Sequence, residues 1–528
     1  MLPINVEIEV REGELLSSAL RRVITFPLPC GGAGYCGGCA VRVLSGMLSE
    51  PTREESLTKA FKQGYRLACQ ARILGDVEVE LPKIAPMATV SGVMPEIPLD
   101  PVIAKFRKGD MALTRALRRP SISFEGLGFR ENGSLLGLAI DLGTTNISGA
   151  LLDLESGETL VEGFIRNPQI SKGADIITRL EFALEGELGE LKSLAISGIE
   201  ELAYKLSEAS GVGVEEISSV AIVGNSVMHA FLLGLDVETL AKAPFRPPIK
   251  HWTSGPLSEI GFQKLGDAWA LIPPPLEGFV GSDALADLIT LELLNVRRPS
   301  LLIDLGTNSE VLLLTEEKIL ATSAPAGSAF EMNVPSGVGG VRGGITRVRM
   351  RDGVFEIEVQ GEPLGFTGSG LISAIAEMLR NGIISHNGRI VEGKDIEIAR
   401  GPLGPIRLTQ LDIREVQKSV AAVYSAWRIL LEKSSLEATE LDAIYMAGTF
   451  GSNVDPEDAI QIGLLPDIDP NRVVSIGNAA LSGAKTLLLN KKSREIADKI
   501  RSEVIHVDLA SEPSFKEKFV RGTFLQRR

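Results

Sequence analysis

The chain of 528 residues is 44 % hydrophobic and 23 % charged, the balance of an ordinary folded protein of about three or four domains rather than a disordered one. Its 54 Lys and Arg against 68 Asp and Glu leave a net charge of −14, which excludes a polybasic tail or arm and argues against nucleic acid as a partner. No run of about 18 residues is free of charges and turn formers, so no membrane-spanning helix is expected. The opening MLPINVEIEVREGE puts acidic residues where a signal peptide needs a basic and then an apolar segment, and a cytoplasmic location is expected.

In chain order, INVEIEV (4–10) alternates like a strand, and a short helix is expected around residues 14–22. A Gly-rich loop follows, then the strand-like CAVRVLSG and RILGDVEVELP. Residues 82–101 are rich in proline without a regular period, which suits a linker. The basic piece IAKFRKGDMALTRALRR is compatible with a helix. From residue 136 the texture becomes α/β: LLGLAIDLGTTNISGALLDL reads as strand, tight turn and strand, with LESGE as a hairpin turn. The unit recurs as LLIDLGTNSEVLLL at 301–314, and this repeat implies two related lobes. Helices are expected over 370–381 and 412–432, and AIYMAGTFGSNV (443–454) reads as a strand ending in a Gly-rich loop. The tail from 492 onward carries no chemical signal.

All four cysteines, Cys30, Cys36, Cys39 and Cys69, lie near the N-terminus in the spacing C-x5-C-x2-C-x29-C. Three thiolates from one loop and a fourth from a distant segment is the division of labour of a [2Fe–2S] site. The glycines of CGGAGYCGGC allow the close backbone approach and positive φ such a loop requires. A thioredoxin-like pair would leave two cysteines unexplained, and zinc held by four cysteines usually comes with two CxxC knuckles.

In DLGTT, Asp141 ends a buried strand and Gly143, Thr144 and Thr145 make a turn that can approach phosphate, the carboxylate holding Mg²⁺ through water. The second copy supplies Asp304, Gly306, Thr307 and Asn308. Two carboxylates on facing lobes suit ATP with Mg²⁺ between them. AGTFG adds Gly448 and Gly451 as a third surface toward the nucleotide, and GFVGSD adds Asp283 as a candidate base for the attacking water. There is no GxxxxGK[ST], so this is not a P-loop. The four histidines match no metal-ligand spacing; His229 follows the GNSVM turn.

Taken together these residues resemble the ATP-dependent reductive activators of corrinoid proteins. Further matches are NPQISKGADIITRL, GNSVMHAFLLG, PPPLEGFVGSD, LIDLGTNSE, PLGFTGSGLI, AGTFGSNVD and IGNAALSGA, spread over nearly the whole chain. The chain departs from the family in its short stretch before DLGTT, in SAPAGSAFEMN, in Thr367 where relatives often carry Cys, and in Ser419 and Val420 after Lys418. The resemblance implies a multidomain α/β protein with a β-grasp ferredoxin-like domain (1–82) and a linker with a reduced bridging segment (83–134). A two-lobed actin/Hsp70-like ATPase follows, its first lobe or middle domain spanning 135–300 and its second lobe and tail 301–528. It implies one-electron reduction of a corrinoid protein or corrinoid-dependent methyltransferase from Co(II) to Co(I), with a [2Fe–2S] cluster as donor, ATP with Mg²⁺ as driver, and an external low-potential reductant. Homodimerisation is common in that family. Three other readings share parts of the pattern: an activator of a non-corrinoid redox enzyme, a nucleotide-gated ferredoxin-like module without turnover, and a small-molecule kinase.

Overall fold

The computed structural model describes residues 8–22, 39–58, 61, 64–80, 91–108, 111–117, 124–129, 135–173, 175–243, 245–306, 308–327, 336–338, 342–402 and 404–528. Cys30, Cys36, Thr307 and residues 4–7 of the expected first strand lie outside them, and residues 8–10 carry no strand. The chain forms two compact units. One comprises Met1–Met87, Pro168–Arg179 and Ser328–Val416, the other Ala88–Asn167, Leu180–Gly327 and Gln417–Arg528.

In the first unit, the N-terminal segment has a helix Leu16–Arg21 and a three-stranded antiparallel sheet in the order Arg66–Leu67, Ala40–Leu48, Ile73–Glu80. The alternation of VEVE in the last strand puts Val77 and Val79 inward, against a core of Leu16, Ala19, Leu20, Val41, Leu67, Ala71 and Ile73. So small a core stabilises little by itself. Buried Glu55 ties it together, accepting from the Arg66 guanidinium at 2.9 Å and from the Leu67 amide at 2.7 Å. The rest of the unit includes a three-stranded sheet with Gly344–Arg351 at its centre and the helix Gly368–Arg380. Thr367 caps that helix, its hydroxyl accepting from the Gly370 amide at 3.2 Å, so the departure from cysteine at this position leaves a good N-cap.

In the second unit the piece expected to be helix-compatible is instead a sheet, with Ile103–Lys108 pairing antiparallel to Met111–Leu117 and that strand to Phe124–Phe129. Register pairs Lys108 with Met111, so the Gly-Asp dipeptide between them was the decisive hairpin signal. Two six-stranded sheets follow. The first runs Thr253–Pro256, Trp269–Ile272, Ile217–Gly224, Leu136–Leu142, Asn146–Asp153, Thr159–Arg166. The second runs Val473–Gly477, Ala443–Ala447, Ser300–Asp304, Ser309–Leu314, Ile319–Ala324, Val504–His506. In each, an antiparallel meander of three strands is extended by parallel strands on the side of its first member. The repeat read from DLGT is therefore a repeat of topology. Its central strands are buried on both faces, which is why they read as unbroken apolar runs.

Two helices join the lobes. Ser282–Leu293 and Ala479–Leu489 cross so closely that a Cβ on Gly483 would lie 2.3 Å from the Ala286 carbonyl oxygen. Thr290 adds a hydroxyl bond of 3.0 Å to the Ala479 carbonyl. One apolar core then runs continuously through both lobes, from Ala139 and Leu271 through Leu285 and Leu488 to Leu302 and Leu312. Residues 91–102, expected as linker, are packed along the helix Ala479–Leu489. Ser419, another departure from the family, donates to the Ala326 carbonyl. Among the described residues no helix is long and apolar enough to cross a membrane.

Candidate functional site

Each lobe delivers its acidic residue at the end of a buried strand. Asp141 sits opposite Ser148, and Asp304 opposite Glu310. Behind Asp141, Gly143 has no room for a side chain, because a Cβ would lie 2.7 Å from the Asn146 carbonyl oxygen. Asn167 buttresses the loop, its side-chain amide donating to the Gly143 carbonyl at 2.8 Å and its backbone amide to that of Thr145 at 2.9 Å. Thr144 is buried and its hydroxyl accepts from the Asn225 side chain at 3.2 Å. Asn225 in turn caps the helix Ser226–Leu233. The loop is thus pre-formed, with its backbone already committed to one conformation.

In the second lobe Gly306 and Asn308 flank the turn and are half-buried. The expected Gly-rich loop at 448–451 is a single helical turn, Gly448–Gly451, entered at a φ of +81°. A Cβ on Gly448 would lie 2.4 Å from Asp304 Oδ1, so glycine is required both by the left-handed backbone and by the carboxylate against it. Gly451 faces Met446 and Leu305 rather than the acidic residues. Asp283 opens the helix Ser282–Leu293, with its Oδ1 accepting from the Ala284 amide at 2.8 Å. Ser282 beside it bridges the amide and carbonyl of Gly224 and lies 3.4 Å from His229 Nε2.

These elements bring Asp141, Asp283 and Asp304 within electrostatic reach of one another, together with Asp287 and Glu310. Asp141 is pushed up to about 6 by burial, against which the Asn478 side-chain amide pulls back through a 2.9 Å bond. Burial and then the Asp141 charge hold Asp304 at about 7. Asp283 is raised to about 8 by burial, then by Asp141, with a smaller push from Asp304. Asp287 and Glu310 stand well above the ordinary carboxylate range, from burial first and then from the neighbouring acids. His229 is lowered to about 4 by burial and stays neutral.

Asp287 is fully buried and faces Asp304, with which it can share a proton, while no N–H or hydroxyl reaches either of its oxygens. Two such carboxylates need a shared proton or a cation, and this donor-poor acidic set therefore suits a hard divalent ion. Among the described residues no three His, Cys, Asp or Glu side chains gather closely enough to chelate an ion alone. A hydrated Mg²⁺, which keeps several of its waters, fits that arrangement. Asp287, Glu310 and Asn478 were not singled out from the sequence. The signals were present in GSDALAD, where Asp287 lies one helical turn beyond Asp283, in the NSE that ends LIDLGTNSE, and in the IGN that precedes AALSGA.

In the N-terminal core, Cys39 and Cys69 are both buried in the same cluster, with the Ala68 amide donating to the Cys39 carbonyl at 3.1 Å. The Gln70 side-chain amide points at Cys69 Sγ, 3.7 Å away, and Thr52 holds the other end of that amide through a 3.0 Å bond to its oxygen. Two buried cysteines in one small core, with an N–H aimed at one sulfur, fit a cluster site.

Comparison with known proteins agrees with this geometry. Residues 298–528 match the C-terminal domain of RACo, the ASKHA domain; residues 136–295 match the RACo middle region, and residues 2–74 the 2Fe-2S iron-sulfur cluster binding domain. The chain is 32 % identical to the corrinoid activation enzyme RamQ of Eubacterium limosum, over 74 % of this chain and 70 % of that protein. It is 29 % identical to the [Co(II) methylated amine-specific corrinoid protein] reductase of Methanosarcina barkeri, over 73 % of this chain and 76 % of that one. A solved reductive activator for a corrinoid, iron–sulfur protein superposes with a TM-score of 0.74 at 26 % identity, covering 98 % of this chain and 96 % of the other. The chain belongs to the family of ATP-dependent reductive activators of corrinoid proteins.

Proposed function

We propose that this protein returns an inactive Co(II) corrinoid protein to Co(I) by one-electron transfer driven by ATP, its client being a corrinoid protein or corrinoid-dependent methyltransferase of the cytoplasm. An external low-potential reductant supplies the electron, and the working unit is a homodimer. The observation that carries the reading is the pairing, in one chain, of a buried cysteine core with an acidic cleft built from two repeats. The modules divide as residues 1–82, 83–134, 135–300 and 301–528.

Cys30, Cys36, Cys39 and Cys69 would hold the [2Fe–2S] cluster, which when bound supplies one-electron chemistry. Gln70 would donate to the Cys69 sulfur and Thr52 would keep that amide from turning over. In the cleft, Asp141 and Asp304 would hold Mg²⁺, which when bound neutralises phosphate charge. Gly143, Thr144 and Thr145 on one lobe, and Gly306, Thr307, Asn308 and Gly448 on the other, would present backbone and side-chain donors to the phosphates, with Gly451 supporting the turn behind. Asp283 would take the proton of the attacking water. Held near 8 by burial and its acidic neighbours, it needs positive charge beside it to ionise, so proton uptake is tied to a loaded site.

Because one electron across ~59 mV is a factor of ten, about 1.4 kcal/mol, a mismatch of a few hundred millivolts demands several kcal/mol of coupling, within reach of a nucleotide cycle. The test is anaerobic: cluster-loaded protein, Mg-ATP and a Co(II) corrinoid protein, followed in the visible spectrum. Appearance of the Co(I) band only with ATP is expected. Silence across the organism's whole set of corrinoid proteins would overturn the client assignment. Cys39→Ser should abolish electron delivery and leave ATP binding intact; loss of both would break the two-module reading.

A further inference from the structure

The side-chain amide of Asn478 has one orientation open to it. Its Oδ1 accepts from the Leu481 amide at 2.8 Å as the cap of the helix Ala479–Leu489, which leaves Nδ2 to donate to Asp141 Oδ2 at 2.9 Å. The main chain at this point is hemmed in by residues 91–93. A Cβ on Gly477, at a φ of +67°, would lie 2.3 Å from the Ser91 carbonyl oxygen. A Cβ on Gly92 would lie 2.2 Å from the Asn478 carbonyl oxygen. The Val93 amide donates to the Ile476 carbonyl at 3.0 Å.

The same short stretch reaches the other lobe. Ser91 Oγ donates to Glu162 Oε2 at 2.6 Å, and Lys485 Nζ, 4 % exposed, takes Glu162 Oε1 at 2.6 Å. Glu162 lies on the outer strand of the first sheet, and Lys485 on the helix that Asn478 caps. Farther on, the amides of Asp100 and Val102 donate to the carbonyls of Leu489 and Leu488 at that helix's C-terminal end. Residues 91–102 therefore hold the helix at both ends, and at its N-terminal end they touch the turn that aims Asn478 at Asp141. With backbone on backbone and no side chain between, this contact has no slack to absorb a shift.

We propose that Asn478 is a positioning residue for the Asp141 carboxylate and that residues 91–93 set its place, so that residues 91–102 and the nucleotide cleft respond to one another. The proposal rests on the nucleotide reading above. Displacement of residues 91–93 shifts the Gly477–Asn478 turn and alters the Asp141 oxygen available to Mg²⁺. By linkage, Mg-nucleotide in the cleft tightens residues 91–102.

The test uses the full chain and a fluorescent ATP analogue titrated with Mg²⁺. Asn478→Ser keeps a helix cap but cannot reach Asp141; it should raise the Mg²⁺ half-saturation about 10- to 100-fold, the usual effect of removing a group that orients a ligand, with metal-free nucleotide affinity unchanged. Gly92→Ala, which touches no nucleotide, should shift the same half-saturation in the same direction. Ser91→Ala provides the milder variant should Gly92→Ala fail to fold, as judged by thermal melting and the cluster spectrum. Amide hydrogen exchange over 91–102 should slow when Mg-ATP is added to the wild type. Unchanged Mg²⁺ dependence in the folded residue 91 or 92 variant, or exchange indifferent to Mg-ATP, overturns the proposal. Absence of any Mg-dependent nucleotide binding by the wild type would instead sink the nucleotide reading itself.

Discussion

At the end of Leu136–Leu142, Asp141 faces Ser148 across the hairpin and receives the Asn478 amide; at the equivalent end of Ser300–Asp304, Asp304 faces Glu310 and lies against Asp287. The two loops share a topology and differ in what surrounds the carboxylate. The first has a neutral cross-strand neighbour and a donor, with Asp283 as its acidic neighbour, and the second has Glu310 across the hairpin and Asp287 against it. The shared topology therefore supplies the scaffold, whereas the charge asymmetry comes from residues outside the repeated motif. The second lobe is where the need for a cation is greatest, and the first is where the carboxylate is steered.

The sharpest way to break this comparison is to remove the acid that lies between the two loops. Asp283→Asn should lower the rate of ATP hydrolysis about 10²- to 10⁴-fold with ATP affinity retained, the range for loss of a general base; a rate within tenfold of wild type in single-turnover assays would exclude that role. Asp304→Asn should cost about a hundredfold or more in Mg²⁺-dependent hydrolysis, corresponding to several kcal/mol of charge stabilisation.

The asymmetry itself is read from metal-free stability. Asp287→Asn should stabilise the metal-free protein by about 1–3 kcal/mol, by replacing a buried acid that no N–H or hydroxyl reaches, and Asp141→Asn should stabilise it less, because the Asn478 amide already offsets part of the burial cost there. Equal effects in denaturant melts would remove the distinction between the lobes. A smaller expected effect is pH dependence. Asp141, Asp304 and Asp283 have folded-state values near 6, 7 and 8, all raised from 3.8, so the fold favours their protonated forms. Their contribution is fully present below about pH 4 and is lost as pH rises through the interval to about 8. Metal-free melting temperature should fall over that range, and saturating Mg-ATP should flatten the decline. Last, Gln70→Leu should make the cluster potential more negative, since an N–H toward sulfur favours the reduced form; an unchanged redox titration would remove Gln70 from that role.

Much of the fold was legible because its signals are local. Asp-Leu-Gly after an apolar run announces a strand end wherever it occurs, and its recurrence at 141 and 304 marked the two lobes. Three of the four cysteines were as local, lying within ten residues of one another. Asn478 was opaque for the opposite reason: its partner Asp141 lies 337 residues earlier, and an Asn before a helix reads simply as a cap. Asp287 gains its meaning only once the helix from Ser282 places it one turn below Asp283 and faces it toward the other lobe. The strands at 103–108, 111–117 and 124–129 are hard to read in the sequence because a basic piece with scattered apolar residues satisfies a helix as readily as a hairpin.

The contact of Gly483 with the backbone of Ala286 has a mechanical consequence. With no side chain between the two helices, their crossing is a fulcrum for the lobes on either side. Any opening of the cleft is then a rotation about this point, and displacement grows with distance from it. Asp287 is the neighbour of Ala286, and Asn478 stands about 7 Å from Gly483 along its helix, so both ride close to the axis. The loop tips at Gly143 and Gly306 lie at the ends of the lever arms. Asp141 and Asp304 stand two residues before those tips, one on each lobe, so such a rotation would part the two carboxylates together with the walls that enclose the phosphates, and loosening the metal and releasing the product would be one movement.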